Sequence, residues 1–194
     1  MTTGVTIADL AALAAGHASG LRTATACHCL TLWSSIATTE PTPAIFDPKF
    51  YLLLQGGKRL SVGGKTILFT PGLYAVSSLG LPFTGQVTEA SAEWPYLAVE
   101  LGLDPGVIAG LLLEMPEAPP HPAPALATAE AAAGVLEAVA RLLRLLASPA
   151  DIPILGPQLE RELCYRLLQG PAGGTLREVV QGRKHFSQIR TAGG

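Results

Sequence analysis

The stretch YLLLQGGKRLSVGGKTILFTPGLYAV, Tyr51–Val76, decides how this chain folds. Short runs of β-branched, aromatic and other apolar residues alternate in it with paired glycines. Gly56-Gly57 and Gly63-Gly64 read as two-residue loops between strands, where positive φ is needed and only glycine adopts it cheaply. The second loop sets a register in which Val62 faces Lys65 and Leu60 faces Ile67. Leu60, Val62, Ile67 and Phe69 then share one face, opposite Arg59, Ser61, Thr66 and Leu68. Pro71-Gly72 marks the next turn, and Leu81-Pro82 breaks the connection after it.

The same rhythm extends over residues 25–105. Strands are expected at Thr25–Ser34, Phe50–Gln55, Arg59–Val62, Lys65–Phe69, Leu73–Ser77, Phe83–Glu89 and Tyr96–Leu103. Nine of the eleven aromatics fall between Trp33 and Tyr96, which marks this region as the core-forming unit. Many short strands with regular turn signals imply an antiparallel sandwich or barrel.

The flanks differ. Residues 1–24 are rich in Ala and Thr, and Asp9 caps a short helix over Leu10–Ala15 that Gly16 stops. This segment reads as a loosely attached N-terminal arm. Five prolines between Pro116 and Pro124 make 116–125 a semi-rigid connector. Residues 126–194 shift to helix formers. Thr128 is expected to cap a helix reaching Ala147. Its residues Ala129, Ala132, Leu136, Val139, Leu143 and Leu146 form a heptad-like apolar stripe, with Glu137 and Arg141 paired on the flank. Leu142 and Leu145 lie off the stripe. A second helix starts near Pro157 and ends before Gly170, Thr175–Glu178 reads as a capping box for a third, and a fourth begins near Lys184. The fold class is thus α+β.

Composition narrows the function. In 194 residues, 48% are hydrophobic and only 14% charged, which excludes a disordered chain. A net charge of −2 makes the chain a poor nucleic-acid binder by itself. Three cysteines do not make a secreted disulfide framework and point to a reducing cytoplasm. No basic start followed by an apolar run reads as a signal peptide, and no apolar run is long enough to span a bilayer.

Gln55-Gly56-Gly57-Lys58, Gly63, Pro71-Gly72-Leu73-Tyr74, Leu81-Pro82, Ala90-Ser91 and Glu93-Trp94-Pro95-Tyr96 follow one pattern. Glu160–Leu168, Gly170-Pro171 and Leu176-Arg177 continue it. In order and spacing these motifs resemble the N-terminal domain of AraC-type transcriptional regulators over roughly residues 25–190. The resemblance implies a cupin-like barrel that binds a small effector, then helices that make a homodimer. It further implies a C-terminal DNA-binding domain with two helix-turn-helix units. That domain is not in this sequence, so the chain is expected to be cut at a domain boundary or naturally truncated. DNA would be reached only through the missing part.

Within this frame, the expected ligand-binding set is Trp33, Tyr51, Lys58, Arg59, Tyr74, Phe83, Trp94 and Tyr96. Tyrosine and tryptophan carry polar tips that are costly to bury without partners, and a lysine or arginine would orient an anionic effector. Gln55 and Glu100 are further polar candidates. The stripe is the expected dimer interface. No catalytic residue, metal or cofactor is expected. His17, His28, His121 and His185 are scattered, and only His28 falls on an expected strand. Cys27-His28-Cys29 reads first as buried strand cysteines and second as a thiol redox sensor. The competing functional reading is a stand-alone, metal-free cupin isomerase or lyase acting on a small carbohydrate or acid. A purely structural dimerisation module with a filled barrel is a third.

Overall fold

A computed structural model describes residues 4–116 and 122–180. The chain runs α1 (Ile7–Ala15), β1 (Arg22–Ala24), β2 (Leu30–Ser35), β3 (Thr42–Phe46), β4 (Lys49–Gln55), β5 (Gly57–Val62), β6 (Lys65–Phe69), β7 (Leu73–Ser77), β8 (Leu81–Glu89) and β9 (Tyr96–Gly102). There follow α2 (Pro105–Glu114), β10 (Leu126–Glu130), α3 (Ala133–Leu145), a 3-10 turn at Pro149–Asp151, and α4 (Ile152–Leu168). A last helix, α5, covers the described residues 173–180.

The strands form two antiparallel sheets. The larger has the order β1-β2-β9-β4-β7-β10 and the smaller β3-β8-β5-β6. The expected β5–β6 hairpin is present with Val62 opposite Lys65 and Leu60 opposite Ile67. Gly63 and Gly64 both have positive φ there, as a two-residue loop of this kind demands. The Gly56-Gly57 link behaves otherwise. It does not close a hairpin, because β4 belongs to the larger sheet and β5 to the smaller. Gly56, at φ +79°, is the point where the chain leaves one sheet for the other, and Gly57 already opens β5. The chain returns through Pro71-Gly72, where Gly72 has φ +98° and its N–H donates to the Leu53 carbonyl. Leu81-Pro82 lies inside β8 rather than ending a strand, with Pro82 opposite Ile45 of the edge strand β3.

Alternation along the strands of the larger sheet sends side chains to two different cores. Leu32, Phe50, Leu52, Tyr74, Val76, Val99 and Leu101 face the helices. Tyr51, Leu53, Ala75, Tyr96 and Ala98 face the smaller sheet and meet Leu60, Phe69 and Val87. Five consecutive residues of β4, Phe50–Leu54, are buried as a result.

Several expectations give way here. The N-terminal arm is a packed helix. Thr6 caps α1 in a reciprocal box with Asp9, and Leu10, Ala11 and Ala14 are buried against the larger sheet and α3. Residues 126–130 are strand rather than the start of a helix, with Ala129 opposite Tyr74 across β7. Helix α3 begins at Ala133, with Ala132 as its N-cap and no side-chain cap from Thr128. Glu137 accepts from the Val5 N–H, and Arg141 instead pairs with Glu162 of α4 at 2.9 Å. Helix α4 starts at Ile152, so Pro157 lies inside it rather than at its first turn and leaves one helical carbonyl without its N–H partner. Thr175 does not cap α5. It sits within that helix and donates to the Pro124 carbonyl, tying the helix to the chain ahead of β10. The expected helix near Lys184 falls outside the described residues.

Gly56 supplies a direct test of the sheet-to-sheet crossing. A Cβ there would collide with the Glu89 carbonyl oxygen and lie 3.0 Å from Tyr96 Cα, whereas one at Gly64 would meet nothing within 4 Å. Both need positive φ, which costs an alanine about 1–2 kcal/mol. Gly56→Ala is therefore expected to lower urea-unfolding stability by about 1–3 kcal/mol more than Gly64→Ala. Equal losses would mean that the crossing is loosely held.

Candidate functional site

The space between the two sheets collects the polar groups that the core does not need. Tyr51 on β4 and Tyr96 on β9 are buried there with their hydroxyl oxygens 2.5 Å apart. One phenol donates to the other, so the pair keeps one O–H for a further acceptor. Burial holds both phenols above the ordinary tyrosine range. Phe69 meets the Tyr51 ring edge-on at 5.4 Å.

Lys58 enters the same space from β5. The register places it opposite Val87 and Phe69, both inward-facing, and its Nζ lies 4.5 Å from the centre of the Tyr51 ring. Gly85 makes room for it, since a Cβ at that position would touch the Phe83 ring at 3.1 Å and Lys58 Cε at 3.5 Å. Burial draws the Lys58 ammonium down to a pKa of about 8, against the attraction of Glu100. Glu100 is itself engaged. It pairs with Lys49 at 3.2 Å and accepts from the Trp33 indole N–H at 3.2 Å. Among the described residues, no carboxylate lies within ion-pair distance of Lys58. Glu100 is thus held by Lys49 and Trp33, and Lys58 feels it only at longer range.

Of the expected ligand set, Trp33, Tyr51, Lys58, Phe83 and Tyr96 meet between the sheets. Three do not. Tyr74 pairs in register with Leu52, not Tyr51, so it faces the helices and stacks on Phe50 at 5.5 Å. Arg59 points outward and reaches Gln86 at 3.4 Å. Trp94 is 61% exposed in the turn before β9. Gln55 donates to the Pro95 carbonyl and serves that turn. Lys49 is the member that the residue pattern did not single out. Its signal was its place two residues before Tyr51, on the same strand face.

The stripe of the helical half is split. Ala129 is in β10 and Ala132 precedes α3, while Val139, Leu143 and Leu146 are buried in this chain's own core and Leu136 packs on its edge. Residues so buried offer no surface to a second copy. Cys27, His28 and Cys29 lie in a turn before β2, not on a strand, and bring the two sulfurs together. His17 follows α1, and His121 and His185 are outside the described residues. Among the described residues no group of three or more His, Cys, Asp or Glu is placed to hold a metal ion, and no helix is long and apolar enough to cross a membrane.

The family model for the AraC-type transcriptional regulator N-terminus matches residues 26–175. The chain belongs to that family. No match is found among curated proteins. Solved structures similar to this AraC-type domain include unsaturated fatty acid bound ToxT from Vibrio cholerae, at 7% identity and TM-score 0.46, covering 76% of this chain and 59% of that one. The AraC-like transcriptional activator CuxR is similar at 12% identity and TM-score 0.36, with 71% and 49% covered. The protein YhaK from Escherichia coli is similar at 14% and 0.35, with 52% and 40% covered. The AraC-type domain thus spans between two fifths and three fifths of the length of these proteins.

The lowered pKa of Lys58 has a pH signature. Between pH 8 and the ordinary lysine value of 10.5 the unfolded chain holds more protons than the folded one, so stability rises with pH in that window. Below pH 8 both states are protonated and the cost of burying the charge is constant. Lys58→Met is expected to be more stable than wild type by roughly 1–2 kcal/mol at pH 7. In urea titrations the gap should narrow steadily from pH 8 to pH 10. A gap that stays constant would mean that Lys58 titrates as a solvated lysine.

Proposed function

We propose that this domain senses a small, largely apolar anion held between its two sheets. In the whole protein it would pass that state to a C-terminal helix-turn-helix unit that binds DNA. The observation that carries this reading is Lys58, drawn into an aromatic space with no carboxylate at ion-pair distance among the described residues. A desolvated ammonium is costly, and a carboxylate or similar anion would repay that cost while accepting the remaining tyrosine O–H. Trp33, Phe83, Tyr51 and Tyr96 would cover the apolar body of the ligand.

The mechanism is a shift between packing states. A ligand changes their balance only by binding one better than the other. Anything that presses on Tyr51 or Tyr96 presses on β4 and β9, whose opposite faces carry α1 and the helical core. Family membership favours this regulatory, non-catalytic role over a metal-free cupin enzyme. The three buried free cysteines suit a reducing cytoplasm.

The experiment is thermal unfolding with a series of short aliphatic and aromatic carboxylates beside their amides. At least one carboxylate is expected to raise Tm by several degrees at high saturation, its amide far less, and Lys58→Met should lose the response. A response that survives in Lys58→Met would place the ligand elsewhere.

Homodimerisation belongs to the same proposal, on a different surface from the stripe. Leu113 of α2 and Ile154 and Leu155 of α4 are the exposed apolar side chains on two helices that the Arg161–Glu114 ion pair joins at 2.6 Å. Leu113→Glu with Ile154→Glu is expected to convert a micromolar dimer into a folded monomer in sedimentation runs. An unchanged dimer would move the interface off these helices.

A further inference from the structure

The turn between β1 and β2 carries chemistry that anion sensing does not use. It holds Cys27 Sγ 3.3 Å from Cys29 Sγ, with both thiols free and only 2% and 8% exposed. Cys27 lies against α4, where a Cβ on Gly156 would come within 3.7 Å of its sulfur. Cys29 lines a cavity of about 600 Å³ with His28, Asp104 and Glu160, at the seam between the larger sheet and the helices. Glu160 is 5% exposed, and burial holds its carboxyl above the usual range.

Cys29 shares a hydrogen bond with the Cys27 sulfur and lies near the Glu160 carboxylate at the cavity wall. The hydrogen bond between the sulfurs draws the Cys27 thiol down, against the effect of burial. Cys29, which keeps the proton, is pushed up by that bond and by burial. When the pair ionises, one proton stays between the two sulfurs, and the thiolate so formed is the state that attacks oxidants. Cys164, one turn beyond Glu160, is different: burial pushes it up to about 12, and it stays an inert thiol.

We propose that Cys27 and Cys29 form an oxidation site, at which a small hydroperoxide entering the cavity closes the two thiols into a disulfide. The cavity-facing Cys29 attacks the peroxide as its proton passes to Cys27. An S–O bond forms, the O–O bond breaks, and the second oxygen leaves as an alkoxide that takes up from solvent the proton the pair released on ionising, giving an alcohol, or water when the oxidant is hydrogen peroxide. Cys27 then attacks the Cys29 sulfur, and the S–O bond breaks. The departing hydroxyl takes the Cys27 proton and leaves as water. Two thiols and one hydroperoxide thus give one disulfide, one alcohol and one water. Closure draws the sulfurs from 3.3 Å to about 2.05 Å and removes the hydrogen bond between them. The turn must shift against α4, so oxidation is felt in the helical layer.

The test uses the whole chain and hydrogen peroxide, followed by unfolding, alkylation with iodoacetamide, trypsin and mass spectrometry. No Lys or Arg lies between Arg22 and Lys49, so one peptide, Thr23–Lys49, carries both cysteines, while Glu162–Arg166 carries Cys164. Thr23–Lys49 is expected to become lighter by two hydrogen masses, to refuse alkylation, and to recover with dithiothreitol. Glu162–Arg166 should stay alkylatable, and Cys164→Ser should oxidise like wild type. Closure should run at least ten-fold faster in the folded chain than in urea. Two thiols that remain alkylatable, oxygen uptake without closure, loss of closure in Cys164→Ser, or equal rates folded and unfolded would each overturn the proposal.

Discussion

Strand β4 must be covered on both faces. Its run Phe50–Leu54 is apolar apart from the Tyr51 hydroxyl, and every member is buried. A strand of this kind cannot lie in a sheet with one wet side. The helices take the face of Phe50, Leu52 and Leu54, and the smaller sheet takes the face of Tyr51 and Leu53. Gly56 then lets the chain step directly from the covered strand to the sheet that covers it. The two cores, the crossing and the placing of Lys58 all follow from that requirement.

The two faces are not equivalent. The helical face is filled with Leu, Val and Ala and carries few polar atoms. The face between the sheets holds Lys49, Lys58, Glu100 and two hydroxyls among its aromatics. Such groups are expensive to enclose unless they serve one another or a ligand. Glu100 serves Lys49 and Trp33, and the tyrosines serve each other, which leaves Lys58 as the group with most to gain from an anion. Because β4 and β9 form the wall between the two cores, occupancy on one side bears on helix packing on the other.

How much of this was legible depends on range. The β5–β6 hairpin could be read in full because Gly63-Gly64 fixes its register locally. Lys58, Tyr51 and Tyr96 were picked out by residue type and not by face, which is why the adjacent Arg59 was picked with Lys58 although neighbours on a strand point opposite ways. Tyr74 was misread because its face depends on pairing with Leu52, twenty-two residues earlier, which nothing near Tyr74 encodes. Residues 129–132 read as the first turn of a helix capped by Thr128 because alanine favours helices. The free edge of β7 overrides that weak preference by offering backbone hydrogen bonds to β10. The apolar stripe was expected to be a dimer interface, but Val139, Leu143 and Leu146 are buried in this chain's own core, because periodicity does not say whether the cover comes from the same chain. The α2 helix and the short strands β1 and β3 give weak patterns, and only the assembled layers define them.

The central claim is that Lys58 is a desolvated cation awaiting an anion. The chain has only four lysines, so NMR titration with ¹³Cε-labelled lysine can follow each one. The account predicts that Lys58 titrates near pH 8 in the free domain, well below the other lysines, and returns toward the ordinary value of 10.5 when a stabilising carboxylate is added. A Lys58 that titrates near 10.5 without ligand, or that does not respond to the carboxylate, would contradict it.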